Sequence, residues 1–128
     1  MAKINTFRDL DVWNAAMDLA LVCYRMTDPF PKRELYALTA QIRRAVVSIS
    51  ANVTERHNRK SRKAYRNHVS IALGSHAELE SLLELARRLN YLDSAQFSAL
   101  EEAIRPAGRM LYGLWRALKK PTPLTEAK

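Results

Sequence analysis

Within the fourteen residues Glu55–His68, ERHNRKSRKAYRNH, fall six Lys/Arg, two His and one acid. Cations at this density suit phosphate recognition. Each Lys or Arg that neutralises a phosphate releases condensed counterion, which gives affinity that is independent of sequence and steeply salt-dependent. The same composition also describes a solvated turn whose charges pair with Glu78, Glu80 or Glu84 of a neighbouring subunit. A second constellation, Gln41, Arg44, Ser48, Asn52 and Glu55, recurs at helical spacing opposite an apolar stripe. It reads as a solvated face, a helix or subunit contact, or a ligand-facing row. Classical enzyme chemistry finds little here. His57, His68 and His76 lack metal-ligand spacing, Cys23 sits within an apolar row, and there is no Gly-rich phosphate loop, nucleophile elbow or paired-carboxylate motif. The expectation is therefore no enzyme, no metal and no cofactor.

The elements that position these residues are helical. At 128 residues and 14.6 kDa, with 48% hydrophobic residues, the chain suits one domain with a real core. The 3 glycines and 5 prolines are sparse, and no period-2 runs mark strands. No apolar run approaches the ~20 residues of a membrane span. The N-terminus lacks a signal-peptide layout, and the single cysteine suits a reducing compartment, so the expected location is cytoplasmic. Asn52-Val53-Thr54 matches a glycosylation sequon by chance in such a setting.

Hydrophobic periodicity predicts four helices. The first runs from about Asp9 to Thr27, with Leu10, Trp13, Met17, Ala20 and Tyr24 in one row and Val12, Ala16, Leu19 and Cys23 in the next; Thr6 with Asp9 suits its cap. The second runs from about Arg33 into Asn52–His57, with a stripe of Leu35, Leu38, Ile42, Ala45, Val46, Ile49 and Val53. The third begins at an N-cap, Ser61, and ends near Leu89, with a stripe of Tyr65, Val69, Ala72, Leu79, Leu82, Leu83, Ala86 and Leu89 and with Asn90 as its C′ residue. Gly74-Ser75 within it suggests close approach of another backbone. The fourth starts near Asp93 with Gln96 in a capping box, is lined by Phe97, Leu100, Ile104, Ala107, Leu111, Leu114, Trp115 and Leu118, and should kink at Pro106. Short connections imply an antiparallel up-down-up-down four-helix bundle over residues 1–120, followed by a disordered tail, 121–128.

Together, DLDVW, QIRRAVVSISAN and IALGSHAELE, within a match spanning about residues 7–118, resemble a bacterial family of small four-helix-bundle proteins. That family includes proteins encoded inside intervening sequences of large-subunit ribosomal RNA genes, and it is similar to the accessory variability protein of diversity-generating retroelements. The resemblance implies a homopentamer around a central channel with a basic surface, and nucleic-acid binding of the kind the retroelement relative shows. In the family pattern a glycine follows the Asn-x-x-Glu of the second helix; here Arg56 follows Asn52-Val53-Thr54-Glu55 and adds charge.

The formal charge of +8 is concentrated. Residues 41–68 carry Arg43, Arg44, Arg56, Arg59, Lys60, Arg62, Lys63 and Arg66 against one acid, and residues 105–120 carry Arg105, Arg109, Arg116, Lys119 and Lys120 against none. In an up-down bundle the two stretches share an end, so Arg116, Lys119 and Lys120 extend the patch. Arg62 and Lys63 fall in a first helical turn, where the dipole disfavours cations by ~0.3–1 kcal/mol each. That violation hints at selection for phosphate binding. Tyr65 and His57 are the rings interleaved with these cations. Trp13, Tyr24, Tyr36, Tyr112 and Trp115 offer aromatic area for assembly, although Trp13 and Trp115 also suit the core. The function expected is a self-associating, non-enzymatic bundle that binds RNA or DNA at its basic surface. The alternative is an oligomeric scaffold that docks another protein.

Overall fold

Of the two apolar rows read on the first helix, one is core throughout, and of the other only Trp13 and Ala20 pack half-buried against it. Val12, Ala16, Leu19 and Cys23 are buried, whereas Leu10, Met17 and Tyr24 stand exposed. The computed structural model describes residues 2–55 and 61–119. Its four α-helices are α1 (Ala2–Thr27), α2 (Leu38–Thr54), α3 (Arg62–Arg88) and α4 (Ser94–Lys119), with a short 3-10 turn at Lys32–Glu34. Among the described residues there is no strand. Packing runs round a ring, α1 on α2, α2 on α3, α3 on α4 and α4 on α1, which makes a four-helix bundle and bears out the all-α expectation. Two neighbouring pairs carry hydrogen bonds at two levels, and both run antiparallel. Asn52 meets His68 and Ser48 meets Ser75 between α2 and α3; Arg62 meets Leu118 and His76 meets Ile104 between α3 and α4. The expected tail, 121–128, lies outside the described residues.

Local chemistry sets most helix ends. Ser61, in extended conformation, accepts from Ala64 N–H at 3.0 Å and opens α3. Asn90 takes the left-handed conformation (φ 65°), and Tyr91 and Asn90 donate to the Ala86 and Arg87 carbonyls. That is a Schellman stop. Asp93 and Gln96 exchange side-chain-to-backbone bonds of 2.8 and 2.9 Å at the start of α4. The predicted start of α1 is wrong: Thr6 lies inside the helix. The second helix also begins later than expected, at Leu38, whose N–H reaches the Glu34 carboxylate at 3.3 Å. Leu35 therefore falls in a turn and is exposed, as is Leu89 beyond the end of α3, so neither joins the stripe.

Gly74 does not admit a neighbouring backbone; a Cβ there would touch nothing within 4 Å. The close approach is at Gly108 on α4. The His76 ring lies over it, and a Cβ at Gly108 would meet His76 Cε1 at 2.7 Å. His76 is buried, with Nε2 2.8 Å from the Ile104 carbonyl oxygen. Because a carbonyl only accepts, Nε2 carries the proton. α4 continues as helix through Pro106.

The two glycines should respond oppositely to alanine. Gly74→Ala is expected to stabilise by about 0.5–1 kcal/mol through helix propensity. Gly108→Ala is expected to destabilise by about 1–2 kcal/mol, because the buried ring must give up its place. Urea midpoints at constant slope read both.

Candidate nucleic-acid interface

The start of α3 meets the end of α4 through the Arg62 side chain. Arg62 donates from Nη2 to the Ala117 carbonyl at 2.6 Å and from Nε to the Leu118 carbonyl at 3.2 Å. These are among the last carbonyls of α4, which have no partner within their own helix. They also form the negative end of its dipole. This gives Arg62 a structural reason for sitting in the first turn of α3: the cost at one dipole is offset by the gain at another. The sequence had taken it as a hint of phosphate binding.

That contact brings the two basic stretches together. Lys63 is exposed and Arg66 half-buried at the start of α3, while Arg116 and Lys119 are exposed at the end of α4. Arg56, Arg59, Lys60 and Lys120 lie outside the described residues. Arg43 and Arg44 do not join this end. Arg43 lies 12 residues before Glu55, about 18 Å along a helix. Its guanidinium donates to Thr27 Oγ1 at 3.0 Å and to the Tyr24 carbonyl at 3.3 Å, and lies 4.6 Å over the Tyr24 ring. It closes the far end of α1 as Arg62 closes α4. Arg44 is exposed on the same stretch of α2.

The polar row of α2 divides. Ser48 bonds Ser75 Oγ at 2.8 Å, and Asn52 accepts from His68 Nδ1 at 2.9 Å while donating to the Ser48 carbonyl. These two residues are spent on α3. Gln41 stands exposed and Glu55 half-buried.

Tyr65 is 4% exposed and packs in the core, as its place on the apolar stripe of the third helix predicts, and this removes it as a stacking surface; His57 lies outside the described residues. At this end of the bundle the rings beside cations are on α4. Tyr112 and Trp115 stack with centroids 6.1 Å apart, Arg116 lies 5.6 Å from the Tyr112 centroid, and Lys119 Nζ lies 4.9 Å from that of Trp115. The signal for them was legible: Arg105, Arg109, Tyr112, Arg116 and Lys119 follow i, i+4, i+7, i+11, i+14 spacing.

Elsewhere the surface has the opposite sign. A groove of about 540 Å³ between α1 and α4 is lined by Asp11, Asp18 and Glu102, with Ala15, Ala99 and Ala103 in its walls. Among the described residues no group of three or more His, Cys, Asp or Glu could hold a metal ion, and no helix is long and apolar enough to cross a membrane. Burial pushes the Cys23 thiol up to about 12, so it stays protonated and unreactive near neutrality.

The profile of the 23S rRNA-intervening sequence protein family matches residues 8–113, and the chain belongs to that family. Its fold is similar to the crystal structure of a protein of unknown function from the S23 ribosomal protein family of Bacteroides thetaiotaomicron. The TM-score is 0.76 at 24% identity, over 85% of this chain and 98% of that one. No curated protein matches the chain.

Two outcomes are expected from these contacts. Arg62→Ala should lower stability by about 1–2 kcal/mol, because α4 loses a charged donor at its end, and Arg62→Lys should recover only part, since an ammonium lacks the fork. Native Cys23 should resist a thiol reagent near neutral pH and react only as the bundle opens, with labelling that accelerates in urea.

Proposed function

We propose that the protein is a non-enzymatic, self-associating bundle of the cytoplasm that binds RNA or DNA at its basic end with little sequence preference. The observation that carries this reading is the Arg62 bond to the last carbonyls of α4. Through it Lys63 and Arg66 share one end of the bundle with Arg116 and Lys119. Arg56, Arg59, Lys60 and Lys120 flank the same elements in sequence and belong to the proposed surface. Arg62 contributes its field while its donors hold the fold. Cations at such spacing attract any phosphate backbone, and membership in a family named for an rRNA intervening sequence is in keeping with a nucleic-acid partner.

Self-association is supported by the apolar row left uncovered on α1. Leu10, Met17, Leu21 and Tyr24 are all exposed, and Val47 of α2 is too. Contiguous apolar surface of this kind is what subunit contacts bury. Five subunits is the number that the resemblance to ring-forming relatives suggests. A ring would repeat the +8 charge around an axis and strengthen the field at the basic end. The same uncovered row favours a second reading, an oligomeric scaffold for another protein.

Titration of fluorescent RNA and DNA at several salt concentrations tests the proposal, with the mass of the assembly fixed beforehand by light scattering. Binding should weaken steeply as salt rises. In the combined variant Lys63→Gln, Arg66→Gln, Arg116→Gln, Lys119→Gln, with Arg62 left in place, affinity should fall. The slope of log affinity against log salt should flatten by about 0.7 per lost contact on single strands. An intact assembly that binds no nucleic acid at low salt would sink the proposal and leave the scaffold reading.

A further inference from the structure

We infer that Tyr112, backed by Trp115, is a stacking platform for unpaired bases, so that the basic end takes single-stranded nucleic acid in preference to duplex. This rests on the nucleic-acid reading above and adds the kind of strand to it. Tyr112 is 52% exposed on α4, although a tyrosine ring gains by burial. Trp115 is half-buried and packs against the core, which fixes one ring of the stacked pair to the bundle. The 20° angle between the rings leaves a nearly parallel pair, one anchored and one open to solvent.

The cations are threaded through the pair. Arg116 lies over Tyr112, and Lys119 over Trp115, each four residues on and so about one helical turn away. Each ring therefore has its own cation one turn further along α4. A nucleotide presents the matching pair, a flat base and an anionic phosphate. The row continues to Arg109 and Arg105, and from Arg105 to Lys119 the chain carries no acid. Fourteen residues of helix span about 21 Å, enough for several nucleotides of an extended strand. A duplex keeps its base faces inside its own stack and offers this row only phosphates. An unpaired strand offers both, and stacking on an aromatic side chain adds to the charge term without reading sequence. An apolar protein partner fits less well, because Arg116 lies over the ring and the helix from Arg105 to Lys119 carries no acid.

The full-length protein is titrated with oligothymidine, oligouridine and duplexes of equal length, as the parent, Tyr112→Ala and Tyr112→Phe. Circular dichroism and light scattering verify that fold and assembly are unchanged. Tyr112→Ala is expected to weaken single-strand binding at least about fivefold while duplex binding stays the same, and Tyr112→Phe should behave as the parent. In a Trp13→Phe background Trp115 is the only tryptophan, and its fluorescence should be quenched by single strands and not by duplex. Equal affinity of the parent for both strand types, with no loss in Tyr112→Ala, would overturn the platform and leave the charge reading standing. A parent that binds neither would overturn both. A Tyr112→Ala chain with altered subunit number would make the ring a subunit contact and overturn the platform as well.

Discussion

A helix leaves its last carbonyls without partners, and in this bundle the way those carbonyls are satisfied fixes where the charge goes. α3 solves the problem within its own sequence through the left-handed Asn90. α1 and α4 borrow an arginine from the early part of a neighbouring helix, Arg43 in one case and Arg62 in the other. The arrangement is economical because each guanidinium meets the negative end of a second dipole. It also has a consequence beyond stability. Tying α3's first residue to α4's last turn sets Lys63 and Arg66 at the same end of the bundle as Arg116 and Lys119.

The rest of the charge distribution sharpens that end. Arg87 and Arg88, which would otherwise add to the field elsewhere, share the Glu84 carboxylate at 2.6 and 2.8 Å. Their hydrogen bonds hold its carboxyl down to about 2, so it stays ionised across the physiological range and cancels one of their two charges. The α1/α4 groove carries Asp11, Asp18 and Glu102. The acidic groove and the cluster of Lys63, Arg66, Arg116 and Lys119 thus give the surface two regions of opposite sign. The asymmetry comes from placement as much as from net charge, and net charge alone says nothing about it.

The buried polar contacts account for features that looked functional in isolation. Ser48 and Asn52 sit in an ordered polar row, yet they pair with Ser75 and His68 across α2 and α3. His76 is paired through Ile104 and needs Gly108 bare to fit. Such pairings satisfy groups that would be costly to bury alone, and they fix the level at which neighbouring helices meet. With them assigned to the fold, the exposed cations and the Tyr112 ring stand among the groups on α3 and α4 that the bundle itself does not bury.

The sequence by itself determined the helical class, the four segments, and the caps at Ser61, Asn90 and Asp93–Gln96. Each depends on residues within one turn of one another, and short-range chemistry is written directly in the order of side chains. It also located the two cationic stretches. Tertiary structure alone decided which of two adjacent apolar rows on α1 became core, because a row is buried only by what packs against it. It left Tyr112 out while Trp115 packs against the core, and it turned Gly108 rather than Gly74 into the point of close approach. It placed Arg62 on carbonyls 55 and 56 residues away in the chain. Periodicity shows which faces a helix has; the partner that covers each face is a long-range fact, set by how four helices fill one volume.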